Sequence, residues 1–183
     1  MSANQHLALL RGINVGGNNK VSMADLRAAF EAEGFGDVRT YINSGNVLFE
    51  ADSGRVGLED RVEKMLGRRL GLDLMVVVRS RRQLENIINK APDGFGERPD
   101  LYHSDVLFLK APLTPARALG VVELRAGVDQ AWAGIGVLYF ARLSARRTQS
   151  KMSKIMGTPE YKLMTIRSWS TTTRLRDLWE KDQ

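Results

Sequence analysis

The chain contains no cysteine, which removes disulfides, thiolate catalysis and cysteine-ligated metal sites together and fits a reducing compartment. Only two histidines are present, His6 and His103, and neither has an acid at ligand spacing, so no histidine-based metal site or triad is expected. No apolar run approaches the ~18 residues of a membrane-spanning helix. The opening MSANQH has neither the cationic start nor the apolar core of a signal peptide. These absences point to a cytoplasmic protein with no membrane partner, and nothing in the residues asks for a metal or a cofactor.

The 183 residues that remain are 43% hydrophobic and 26% charged, an ordinary globular balance that serves one domain or two small ones. Folding should bury about 70% of the unfolded surface. The net charge of +6 is confined to residues 141–183, which hold ten Lys/Arg and four Asp/Glu. A basic end raises the prospect of an anionic partner, either nucleic acid or a phosphorylated small molecule; the plain alternative is a solvated surface.

The first half reads as strand, helix, two strands, helix, strand, helix. Leu7–Leu10 is a short apolar strand. Ser22 is an N-cap for a helix with Met23, Leu26, Ala29 and Phe30 at helical spacing, ending near Gly34. Val38–Ile42 and Val47–Glu50 are strands joined by the turn Asn43-Ser44-Gly45-Asn46. Leu58, Val62, Met65, Leu66 and Leu70 make a second helical stripe stopped at Gly71. Leu74–Val78 is a buried strand, and Leu84, Ile87 and Ile88 mark a further helix. The stretch APDGFGERPDLYHS, residues 91–104, has linker composition. We therefore place an N-terminal subdomain at 1–92, a linker at 93–103 and a C-terminal subdomain at 104–183.

In the second half, Val106–Leu109 is a strand and Pro115–Leu119 a short helix. A strand near Val121–Arg125 and another at Val137–Phe140 follow. A helix is expected over Arg147–Met156, then a strand at Leu163–Ile166 and a closing helix bearing Leu175, Leu178 and Trp179. Val78-Arg79-Ser80 matches Ile166-Arg167-Ser168 at an offset of 88 residues, each before a final helix, which suggests a duplication. The order βαββαβ, twice, gives an α/β (α+β) protein of two ferredoxin-like subdomains. In that topology the third strand inserts antiparallel between the first and second. The loop after the first strand and the hairpin before the third then lie side by side, while Arg79 leaves at the opposite edge.

Those two segments carry the densest polar chemistry. The loop RGINVGGNNK, residues 11–20, supplies Arg11, Asn14, Gly16, Gly17, Asn18, Asn19 and Lys20 ahead of a helix N-terminus. The hairpin adds Asn43, Ser44, Gly45 and Asn46. Together they form a donor-rich, acid-poor set suited to phosphate or another oxyanion; read singly, each is a turn, because Asn and Gly tolerate left-handed backbone. The spacing matches neither the Walker loop nor the dinucleotide fingerprint. Lys20, Tyr41 and Ser44 are proton-transfer candidates, though structural or ligand-positioning roles suit them better.

Arg147, Lys151 and Lys154 would share one helical face, a nucleic-acid contact if that face is not merely solvated. Base stacking of the RNA-recognition type is not expected: HLALLRG has no aromatic and NVLFE only an inward-facing Phe49.

ALLRGINVGGNNKVSMADLR, TYINSGNVLFE and SKMSKIMG…TIRSWSTTTRL, in that order, closely resemble a bacterial family, the domain-of-unknown-function family sixteen ninety-seven. The resemblance implies a cytosolic α/β protein with ferredoxin-like subdomains and implies no activity. Where the family shows Arg-Asn-Trp-Asn-Thr, this chain has Arg167-Ser168-Trp169-Ser170-Thr171, trading two amides for shorter hydroxyls. We expect Arg167, Trp169 and Thr171 at the start of the last helix to help close the site of the first half; the alternative for Trp169 is plain packing. Whether the chain is a monomer or a dimer is left open by its sequence.

Overall fold

Leu7, Ala8, Leu9 and Leu10 are apolar at odd and even positions alike, and all four are essentially inaccessible, as a strand covered on both faces requires. They belong to β1 (Asn4–Leu10), the first element of a computed structural model that describes residues 4–52 and 56–179. The chain divides into two compact units, Met1–Leu84 and Glu85–Gln183.

In the first unit β1 is followed by α1 (Met23–Ala32), β2 (Gly36–Tyr41), β3 (Asn46–Ala51), α2 (Leu58–Leu70), β4 (Val76–Ser80) and α3 (Arg81–Asn89), the last of which runs across the division. Ser22 caps α1, its Oγ accepting from Asp25 N–H at 3.0 Å. Glu59 and Asp60 open α2 and Arg68 and Arg69 close it, matching the helix dipole, and Gly71 ends it in left-handed backbone. The sheet order is β2-β3-β1-β4, with β3 antiparallel to both neighbours. Ala8, Leu10, Val47, Phe49, Val76 and Val78 pack on Leu26, Phe30, Val62 and Met65 to form the core. Phe49 points inward against Phe30 and Phe35, so the sheet offers no base-stacking platform at this position.

The second unit repeats the plan with β5 (Tyr102–Leu109), α4 (Pro115–Val121), β6 (Asp129–Ala133), β7 (Val137–Leu143), β8 (Met164–Ser168) and α5 (Trp169–Asp177), in the sheet order β6-β7-β5-β8. Arg79 lies opposite Leu7 and Arg167 opposite Val106, and each guanidinium turns back to the carbonyl before it, at 2.8 Å in both units. Two α/β units built on one ferredoxin-like plan are therefore what the chain forms.

Two expectations fail in the second unit. No strand forms near Val121–Arg125: α4 runs through Val121, and Asp129 Oδ2 accepts from Arg125 N–H at 2.9 Å, closing a turn that delays the strand to Asp129. No α-helix forms over Arg147–Met156. Short 3-10 turns occupy Ser144–Gln149, Met152–Gly157 and Pro159–Leu163, because Ser150 is extended and Lys151 N–H is taken by Asp129 Oδ2 at 2.9 Å. Burial would raise the Asp129 carboxyl, but these backbone N–H donors and Ser150 outweigh it and hold the pKa below the ordinary 3.8.

Candidate functional site

Leu9 pairs with Asn46 in the β1–β3 ladder, so the segment leaving β1 meets the turn entering β3. Leu10 N–H donates to Gly45 O at 2.8 Å. Gly45 is at φ +77°, and a Cβ there would lie 2.8 Å from Ile13 Cδ1 and from Leu10 Cβ, so the close approach needs glycine. The convergence of the 11–20 loop and the 43–46 hairpin is thus built into the sheet.

Most of the amides in these segments hold the backbone together. Asn14 is left-handed at φ +53°, and its Nδ2 donates to Val21 O at 3.0 Å and Asn43 O at 3.2 Å while its Oδ1 accepts from Val21 N–H at 3.0 Å. Asn19, also left-handed, donates to Gly12 O at 3.1 Å. Asn46 is fully buried, donating to Tyr41 O and Ser44 Oγ at 2.9 Å each. Beside them, Ile42 holds φ +49° while 48% exposed, an unfavourable backbone for a β-branched residue.

A cleft of about 700 Å³ opens between the loop and α1. Of the loop and hairpin residues, Asn14, Gly17, Lys20 and Asn43 line it; Arg11, Gly16, Asn18, Asn19, Ser44, Gly45 and Asn46 do not. Sequence reasoning missed five other lining groups, Val21, Ser22, Met23, Asp25 and Leu70. Asp25 brings an acid to a site read as acid-poor, although its Oδ2 is engaged by the Ser22 hydroxyl at 2.7 Å. Lys20 is exposed, and among the described residues no acid forms an ion pair with it.

Arg167 and Trp169 lie in the second unit. Arg167 is 8% exposed, and its Nη1 donates to Thr165 Oγ1 at 2.9 Å as well as to Ile166 O; burial lowers its pKa to about 10. Trp169 meets the Phe95 ring edge-on, centroids 5.1 Å apart, a packing contact. Thr171 joins the α5 cap, its N–H donating to Ser168 Oγ at 3.2 Å.

His103 does have an acid beside it: Nε2 lies 3.2 Å from Asp105 Oδ1, with Arg142 3.5 Å from the other carboxylate oxygen. Residues two apart on a strand share a face, which is the signal that metal-ligand spacing overlooks. Burial pushes the Asp105 carboxyl above its ordinary 3.8, with His103 and Arg142 pulling against it. Among the described residues no group of three or more His, Asp or Glu could hold a metal ion, and no helix is long and apolar enough to cross a membrane. Of the three cations assigned to one helical face, Lys151 and Lys154 both pair with Glu123, at 3.2 and 3.1 Å.

A family model described as "Protein of unknown function (DUF1697)" matches residues 3–139, a stretch that contains the loop, the hairpin and the whole cleft. The chain belongs to this family. The Arg167–Thr171 segment lies outside the part of this DUF1697 chain that the family model matches. The DUF1697 chain is also similar in structure to the conserved bacterial protein SP0830 from Streptococcus pneumoniae, with a TM-score of 0.83, 24% identity, and 97% of this chain and 99% of that one covered. At that identity the likeness speaks for the fold alone. No curated protein sequence matches this DUF1697 chain.

Proposed function

We propose that the cleft between the 11–20 loop and α1 binds an anionic small molecule, phosphorylated or nucleotide-like. The observation that carries this reading is Lys20: an exposed ammonium with no acid paired to it among the described residues, in the wall of a cleft whose size, about 700 Å³, falls in the range of small-molecule sites. Asn43 and Gly17 line the same wall and supply neutral polar groups. Arg11 stands outside the cleft and completes the basic margin of the loop rather than touching the ligand.

Asp25 shapes the reading. A carboxylate on the capping serine already satisfies part of the α1 N-terminus, so the phosphate is met by Lys20 and loop groups more than by the helix dipole. Turnover is not part of the proposal: the hydroxyl–carboxylate pair in the cleft wall, Ser22 to Asp25 at 2.7 Å, serves as the cap of α1.

A competing reading, nucleic-acid binding through Arg147, Lys151 and Lys154, has less in its favour. The expected helical face does not form, and two of the three cations share Glu123. A structural or dimerisation role without ligand is the third reading.

A thermal-shift screen over inorganic phosphate, mononucleotides, sugar phosphates and short RNA separates them. A bound ligand at 100 times its Kd adds about 2.7 kcal/mol to stability. We expect a phosphorylated small molecule to raise Tm and Lys20→Ala to lose the response without lowering the basal Tm. No stabilisation by any phosphate, or a response that survives Lys20→Ala, would overturn the reading. A response to RNA alone, steep in salt and lost on Arg147→Ala, would favour the nucleic-acid alternative.

A further inference from the structure

The two units are built on one plan, and comparing them residue by residue exposes a place where they differ. His6 pairs with Ser80 and Asp105 with Ser168, so Gln5 in the first unit corresponds to Ser104 in the second, and Arg81 to Trp169. In the first unit that place is filled: Arg81 Nη1 donates to Gln5 Oε1 at 3.0 Å. Beside it, Ser80 and Gln83 form a reciprocal cap, Gln83 N–H to Ser80 Oγ at 3.2 Å and Ser80 N–H to Gln83 Oε1 at 3.0 Å. In the second unit the shorter Ser104 leaves the space open, and a cavity of about 370 Å³ lies between the start of β5, the start of α5 and the loop at Gly96.

We propose that this cavity is a binding site for a monoanionic aromatic carboxylate, separate from the cleft at Lys20. Three features of the wall support that chemistry. First, Ser104 lines the cavity at only 9% exposure, and its Oγ is a buried hydroxyl with no hydrogen-bond partner, a state that proteins rarely leave unfilled. Second, the cavity takes in the first turn of the nine-residue α5, with the hydroxyls of Ser168 and Ser170 beside it. Ser168 Oγ caps the Thr171 N–H, and the unpaired N–H groups of a first turn favour negative charge. Third, among the described residues no Asp, Glu, Lys or Arg lines the space. A site with hydroxyls and a helix N-terminus but no fixed cation matches one negative charge rather than the two of a phosphate monoester.

The aromatic part of the assignment comes from Trp169. Its indole is held in place by Phe95 edge-on at 5.1 Å and by Gly96, where a Cβ would run into the ring. A fixed indole in the wall of a small cavity offers a flat apolar surface at little cost in side-chain entropy. His103 stands at the rim, its Nε2 oriented by Asp105. A serine and a tryptophan thus stand where the other copy has the Gln5–Arg81 pair.

The probe is benzoate, titrated into the full chain and followed by amide chemical-shift changes, with inorganic phosphate as the comparison. Saturable benzoate shifts clustered at His103, Ser104, Trp169 and Ser170, leaving Lys20 unmoved, are the expected result. Ser104→Gln, which installs the residue of the first unit, should weaken binding at least tenfold. Ser170→Asp tests the same point at an exposed position that tolerates substitution, placing a protein carboxylate in the helix's first turn; it should also weaken benzoate tenfold. No saturable shifts, shifts that persist in both variants, or shifts with phosphate and not benzoate would each overturn the proposal.

Discussion

The side chain of Asn14 bridges two separate segments, donating to Val21 O at 3.0 Å and to Asn43 O at 3.2 Å. One amide therefore ties the lead-in of α1 to the β2–β3 hairpin. Asn14→Ala removes three hydrogen bonds and places alanine at φ +53°. We expect a loss of about 2 kcal/mol, read as a lower urea midpoint at unchanged slope. Asn18→Ala, at an exposed position outside the cleft wall, should change stability by less than about 0.5 kcal/mol.

Ile42 is a place where the chain can be made more stable. It sits at φ +49° while 48% exposed, so it bears left-handed strain with little burial to offset it. Ile42→Asn should gain about 1 kcal/mol, because asparagine tolerates that backbone. For a chain of this size the gain corresponds to a rise in Tm of roughly 2–4 °C. An unchanged or lower Tm would show that the apolar side chain outweighs the strain.

Asp129 should govern part of the acid stability of the second unit. Its carboxyl pKa is held below the ordinary 3.8 in the folded state. A depressed folded pKa means that the stabilisation is present above 3.8 and is lost as pH falls through the folded value. Asp129→Ala should cost about 2 kcal/mol near neutral pH, since it leaves the N–H groups of Arg125 and Lys151 without their acceptor. The gap between wild type and variant should narrow below pH 3.8, which urea unfolding at several pH values would reveal.

Much of the fold was legible because hydrophobic periodicity and topology agree. The both-faces apolar run at Leu7–Leu10 and the stripe Leu58, Val62, Met65, Leu66 locate a buried strand and its covering helix. Strand order alone placed the 11–20 loop against the hairpin. The failures share one cause, a side chain competing with backbone pairing. Asp129 accepts from Arg125 and Lys151, moving β6 later and breaking the helical pattern of Lys151, Met152 and Ile155, and no periodicity reports a carboxylate that far away in sequence. At the cleft the residue types were readable but not their employment: Asn14, Asn19 and Asn46 could serve a ligand or the backbone, and only geometry shows that they serve the backbone. Asp25 is not legible as a wall residue in the sequence, because a cap and a cleft wall are the same residue seen from two sides.

The contact of Leu10 N–H with Gly45 O, and the bare Cα that permits it, makes the loop and the hairpin one rigid joint. A joint fixed by the sheet register does not wait for a guest to take its shape. Divergence among proteins of this plan can then act on the rim, exchanging groups such as Lys20 or Asn43, without redesigning the hinge beneath. Recognition and architecture are thereby separable, and a library varied only at the rim should keep the fold while changing what it holds.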